Sequence, residues 1–211
     1  MQLELAPDSS SKPTRTIKAP LGSIEWYLEI KRAVADEGYA EEADWAQFLT
    51  PVADSHTFWC EYSWVVLNSG MKEQIARQIW QRVRPAVEAG QSASSVFGHK
   101  GKSAAIDYVW TNRERLLAEY LAAADKVEWC DTMPFVGSIT KWHLAKNYGH
   151  DCAKPDRHLV RIAGAEGPHA LCERISKATG DRIATVDVVI WRAANLKIIP
   201  SASAPTTTPQ P

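Results

Sequence analysis

The residues best placed to do chemistry lie between positions 133 and 162, in MPFVGSITKWHLAKNYGHDCAKPDRHLVRI. In its second half, Pro155 keeps Lys154 out of the helical region of the backbone map. Asp156 then stands at the entrance of an apolar helix carrying Leu159, Val160 and Ile162, in the N-cap position. A carboxylate at a helix N-terminus stays ionised, as acid–base or cation-stabilising chemistry requires. Capping alone would also explain an Asp there. In the first half, Met133-Pro134-Phe135-Val136-Gly137 reads as a tight turn between helices. Gly137 is expected to take the positive φ that a hairpin needs and to let its backbone approach another group closely. Ser138-Ile139-Thr140 opens a helix that continues through His143, Leu144 and Asn147 and ends at Gly149. Free N–H groups at such a helix start suit an anion, and a DNA phosphate fits. An ordinary helix–turn–helix corner in a core would have the same sequence.

Other candidates are more scattered. Asp187 lies among β-branched residues in Thr185-Val186-Asp187-Val188-Val189, where an unpartnered carboxylate is costly. It is expected to bind a helix end or to line a pocket. Gly98-His99-Lys100-Gly101-Lys102 gathers basic groups that suit a phosphate, in a segment that a solvated loop would also explain. His158 is expected to pack or cap near Asp156, with no metal role, because no second His or Cys stands at ligand spacing from it. His143 and His150 read as surface or hairpin residues, and Trp142 reads as core. Arg157 and Arg161 suit either phosphate contact or a solvated helix face. Cys60, Cys130, Cys152 and Cys172 are widely spread and read as reduced thiols. No metal or cofactor is expected.

The elements that must position these groups read as helices. Apolar spacing predicts one over residues 24–34 and a short one over 45–49, stopped before Pro51. Residues 58–67 are strongly apolar and break at Asn68-Ser69-Gly70, a turn signal. Residues 72–83 place Ile75, Ile79 and Val83 on one face, with Lys72, Arg77, Arg82 and Arg84 on the other. Helices over 103–123, 168–179 and 183–196 complete an all-α class. Val186 to Ile190 could be argued as a strand, but the flanking residues favour a buried helix. Residues 1–20 and 199–211 are rich in Ser, Thr, Pro and Lys or Ala, and are expected to be disordered arms around a domain at 21–198. The net charge of −1 means that any DNA contact must come from a local basic face. No apolar run reaches the length of a membrane span, and no signal-peptide core is visible. A monomeric, cytoplasmic protein is expected, in the host cytoplasm if a phage encodes it.

The two segments together resemble the helix-hairpin-helix DNA glycosylase superfamily. That family carries a hairpin of the form L-P-G-V-G-x-x-T-A, followed about two dozen residues later by V-D-T-H-[IV]-x-R-[IV]. Residues 133–141 match the first pattern and residues 155–162 the second. The resemblance covers residues 58–196 and implies a two-lobed helical fold. It implies that the hairpin, through Phe135, Val136, Gly137, Ser138, Thr140, Lys141 and Lys146, binds duplex DNA. One nucleotide is then flipped into a pocket between the lobes, with Asp156 as the essential acid. In a glycosylase that acid stabilises the cationic sugar or activates water as the base leaves.

The departures narrow the reading. Ile139 stands where bifunctional members carry a nucleophilic Lys, so lyase chemistry is not expected, and Lys141 is at the wrong angle on the helix. Phe135 replaces the hairpin's first Gly. Asn68-Ser69-Gly70-Met71 stands in place of the family's Gln-containing segment. These features are similar to a phage branch, the α-glutamyl/putrescinyl thymine pyrophosphorylases or amino acid:DNA transferases. Such proteins replace the pyrophosphate on 5-pyrophosphoryloxymethyluracil with an amine or amino acid. On that reading Asn68, His99, Lys100, Lys102, His158 and Asp187 line the pocket or hold the leaving group. A monofunctional glycosylase acting on a damaged or modified base is the alternative.

Overall fold

The computed structural model describes residues 17–199, so the expected arms at 1–16 and 200–211 lie outside the described residues. Packing extends past both bounds of the expected 21–198 domain, because Ile17 and Ala19 pack on a hydrophobic core and Ile199 is buried. Every regular element among the described residues is helical. The helices are α1 (Ile24–Val34), α2 (Ala40–Phe48), α3 (Ser55–Asn68), α4 (Glu73–Glu88) and α5 (Lys100–Ala122). Then follow α6 (Lys126–Asp131), α7 (Thr140–Asn147), α8 (Arg157–Ala163), α9 (Pro168–Thr179) and α10 (Ile183–Asn195). The stretch that could have been a strand, Val186 to Ile190, lies inside α10 and is buried almost throughout.

Local chemistry sets most boundaries. Asp54 caps α3 through the Thr57 N–H, and Asp125 caps α6 through the Val127 and Glu128 N–H groups. Gly180, in the left-handed conformation, ends α9. In α4 the buried face is not the expected Ile75-Ile79-Val83 row. Ile75 is exposed, and Ala76, Ile79, Val83 and Val87 face inward. The helix also continues through Pro85 to Glu88, further than the apolar spacing indicates.

Two separate hydrophobic cores result. One is built by the middle of the chain, α3 to α7, around Phe58, Trp59, Tyr62, Ile106, Leu144 and Tyr148. The other joins the first and last described helices, with α1 and α2 packed against α8 to α10 around Trp26, Tyr27, Ile30, Leu159 and Ile190. The chain passes between them twice, and the two passages lie side by side. Val52 N–H donates to Tyr148 C=O at 3.0 Å. Gly149 adopts φ +89°, and a Cβ there would stand 2.5 Å from the Thr50 carbonyl oxygen and 2.6 Å from Pro51 Cα. Arg182 at the start of α10 clasps both passages, donating to Leu49 C=O at 2.5 Å and to Gly149 C=O at 2.9 Å.

Candidate functional site

A cleft of about 630 Å³ lies between the two cores, within the size range of small-molecule pockets. Asp156 lines it. The residue caps α8, its Oδ1 accepting from His158 N–H at 2.9 Å and from Leu159 N–H at 3.0 Å. Its Oδ2 has no hydrogen-bond donor among the described residues. The cap fixes one oxygen and leaves the other uncommitted among the described residues.

Asp187, on α10, also lines the cleft and is 2% exposed. Lys146 Nζ, from α7 of the other core, lies 2.6 Å from its Oδ2, and the Lys154 N–H donates to the same oxygen at 3.1 Å. This corrects the expectation for Lys146. Its side chain is buried in an ion pair facing the cleft and is not part of the hairpin's outer surface. It lies about two helical turns beyond Ile139 along α7.

Around these acids the cleft has aromatic and cationic walls. Trp45, Trp64, Trp80 and Trp191 line it, from α2, α3, α4 and α10. So do Arg77 and Arg84 from α4, Lys154, and Arg192 from α10. Arg77 lies over Trp64 and pairs with Glu73 at 2.6 Å, while Arg84 pairs with Glu88 at 2.9 Å. Arg192 stacks on Tyr39 and Trp191 and pairs with Glu42. Lys154 makes no ion pair with any described residue, and burial together with the nearby Lys146 charge pushes its ammonium below the usual lysine range. Burial also pushes the His143 imidazole well below its ordinary value, helped by Lys154 and Lys146, so it is neutral at pH 7.

Glu61, Asn68 and Asn147 also line the cleft. Asn147 Nδ2 donates to Glu61 Oε2 at 2.8 Å. Burial raises the Glu61 carboxyl, partly opposed by that hydrogen bond. Asn68, at the end of α3, lines the cleft as expected of a pocket residue.

Several expected pocket residues lie elsewhere. His99 caps α5, its Nδ1 accepting from Lys102 N–H at 3.2 Å, and it stands against Phe135. Lys102 is buried and its Nζ donates to Ser69 C=O at 2.6 Å, closing the end of α3. Neither these two nor Lys100 lines the cleft. They organise the start of α5, because a helix N-terminus and an orphan carbonyl take up their hydrogen-bonding capacity. His158 is also outside the cleft. Its ring Nε2 faces Arg157 Nε at 3.4 Å.

The hairpin joins α6 to α7. Phe135, not Gly137, carries the positive φ, at 58°. Gly137 lies outside the left-handed region, and a Cβ there would meet open space. The turn therefore needs a left-handed residue where the related pattern has its first Gly, and here Phe135 supplies it. The Phe135 ring covers Gly101, where a Cβ would stand 2.4 Å from its Cζ. Val136 is buried, whereas Ser138 is exposed and Thr140 half-buried. No side chain caps α7, and among the described residues the N–H groups of Gly137, Ser138, Ile139 and Thr140 have no acceptor. Lys141 is drawn inward to Glu128 at 2.7 Å and Asp131 at 3.4 Å, bracing α6 against α7 instead of standing free for a phosphate.

Among the lining residues that the sequence did not single out as site residues are Glu61, Asn147, Lys154 and Arg192, together with the four tryptophans and His143, which was expected at the surface or in the hairpin. Asn147 and Lys154 stand inside the 133–162 stretch and Glu61 inside the apolar run 58–67, but their facing direction depends on helix placement. Arg192 had no local signal. The sequence also hides a convergence of His56 and Cys60, one turn apart on α3, with Glu88 on α4, whose ligand atoms lie within 4.8 Å of one another. His56 and Arg84 both already bond to Glu88, and burial raises the Cys60 thiol to about 11. All four cysteines are free thiols. Among the described residues no helix is long and apolar enough to cross a membrane.

No protein-family model matches this chain, and no curated protein or solved structure is significantly similar to it.

Proposed function

We propose that this protein is a base-flipping enzyme acting on a modified thymine or uracil in duplex DNA, built on a two-lobed, glycosylase-like helix-hairpin-helix plan. The observation that carries the reading is the cleft. A carboxylate with one free oxygen, Asp156, stands in an inter-core pocket walled by four tryptophans and lined by Arg77, Arg84, Lys154 and Arg192. Aromatic walls suit a base removed from its stack, and cations suit a phosphate carried by it. The uncapped start of α7, with exposed Phe135 and Ile139 beside it, suits a backbone phosphate of the duplex.

The reaction that uses all of these groups is transfer of an amine to 5-pyrophosphoryloxymethyluracil. The incoming ammonium gives one proton to Asp156. Its nitrogen then forms a bond to the C5 methylene carbon as the carbon–oxygen bond breaks. Pyrophosphate leaves with the electron pair, beside Lys154, Arg77 and Arg84, and the product is a protonated secondary amine. The acid returns its proton to water. No cofactor is needed, because pyrophosphate is already a good leaving group.

Mass analysis of nucleosides tests the reading, after incubation of DNA carrying the pyrophosphorylated base with amino acids or polyamines. A heavier base with an intact N-glycosidic bond and released pyrophosphate is the expected result. Free base with an abasic site would make the protein a monofunctional glycosylase. Unchanged DNA across the panel would leave a binding protein.

A further inference from the structure

We propose that Glu61 and Asn147 form the edge-reading pair of the cleft, selecting bases that present a carbonyl beside a ring N–H, as thymine, uracil and their 5-substituted forms do. The inference deepens the base-flipping reading and rests on it. Glu61 comes from α3 and Asn147 from α7, and both line the cleft. The Asn147 side chain is one of few buried polar groups, 6% exposed. Its Nδ2 is committed to Glu61 Oε2 at 2.8 Å. Its Oδ1 has no hydrogen-bond partner among the described residues, although a buried amide oxygen without one is rare. The cleft therefore holds an acceptor that the protein does not satisfy.

Glu61 supplies the complementary group. Its Oε2 already accepts from Asn147, which leaves Oε1 uncommitted among the described residues; in the neutral form, which burial favours and that hydrogen bond opposes, Oε1 carries an O–H donor that a carboxylate lacks. A donor beside an unfilled acceptor matches a base edge with an acceptor beside a donor. Thymine and uracil offer O4 and N3–H in that order. Guanine offers O6 and N1–H. Cytosine and adenine present an amino group and a ring nitrogen lone pair, so each would set donor against donor and lone pair against lone pair. A site whose buried polar groups are left unpaired by the wrong ligand rejects it strongly.

The four tryptophans of the cleft give the readout, since a base stacked between them changes their fluorescence. The probes are dUMP, dGMP, dCMP and dAMP, added to the intact protein up to millimolar concentration. The expected result is tighter binding of dUMP and dGMP than of dCMP and dAMP, by a factor on the order of 10 or more. Glu61→Gln, whose amide still donates, is expected to keep that preference. Glu61→Leu and Asn147→Leu, checked for normal melting, are expected to abolish it. Equal binding of dUMP and dCMP, a preference that survives Asn147→Leu, or no response to any of the four overturns the proposal. Neither DNA nor turnover enters this measurement. A protein that shows the preference but leaves DNA unchanged keeps the pair and loses the transferase. A protein that modifies DNA without any mononucleotide preference loses only the pair.

Discussion

Lys146 Nζ lies 2.6 Å from Asp187 Oδ2, tying α7 of the middle core to α10 of the terminal core through a pair that is nearly sealed from water. Removing one member leaves an uncompensated buried charge. Lys146→Met and Asp187→Leu are each expected to cost about 3–5 kcal/mol. The double variant, which leaves no lone charge, is expected to recover most of that loss. Urea unfolding of the four proteins measures it. Additive losses in the double variant would show that the two groups do not act as a pair.

Asp156→Asn is expected to keep the fold, because Asn also caps helices. It is expected to lower product formation by a factor on the order of 100 or more while leaving most DNA binding intact. Single-turnover assays beside binding isotherms separate the two effects. Full activity in this variant would remove both the transferase and the glycosylase readings.

DNA binding is expected to weaken with salt, each phosphate contact contributing about −0.9 to the slope of log K against log salt. Arg77, Arg84 and Lys154 are the cations to test, because they line the cleft. Charge reversal at Arg77 is expected to reduce both affinity and slope equally across sequences. An unchanged slope would move the DNA face elsewhere. Lys146, buried against Asp187, is a stability residue in this experiment and not a probe of the DNA surface.

Gly149→Ala is expected to be strongly destabilising. The residue sits at φ +89°, and the new Cβ would overlap the Thr50–Pro51 backbone, which has no flexible end to move. The conformation alone costs about 1–3 kcal/mol. Gly137→Ala is expected to melt like the parent, since neither φ nor space opposes it. At Phe135, with φ 58°, Asn is expected to be tolerated and Val to lower the melting temperature, because β-branched residues resist that region. Calorimetry of these four variants decides the hairpin and crossover assignments together.

Stability is expected to fall between pH 7 and 5. His143 has its folded pKa depressed by burial, so the unfolded chain binds a proton that the folded one refuses. His169 behaves in the same direction. The stability is present above the unfolded value, near 6.5, and is lost as pH falls toward the folded one, at no more than about 1.4 kcal/mol per pH unit for His143 and less for the half-buried His169. Urea midpoints at pH 7.5 and 5.0 are expected to differ less in His143→Gln than in the parent.

Helix content, the reduced cysteines and the position of Asp156 at the start of α8 were legible in the sequence because each depends on neighbours within a few residues. Apolar spacing, the Pro155 restriction and the N-cap preference act locally, and tertiary packing agreed with them. The hairpin was legible as a turn, but which residue takes the positive φ was not. Phe135 holds it because its ring finds a place over Gly101, a contact between distant segments. The partners of charged residues were also beyond reach. Lys146 and Lys141 look like surface cations on an eight-residue helix, and only the placement of α10 and α6 turns them into buried and braced pairs. The basic residues of 98–102 invite a phosphate in sequence, yet the helix ends of α3 and α5 already use Lys102 and His99. Sequence determined which helices form and where a carboxylate would be capped. Tertiary structure alone decided that α1 and α2 share one core with α8 to α10, and that the cleft against the other brings Asp156, Asp187, Glu61 and Asn147 together, because burial and long-range ion pairs depend on which helices meet.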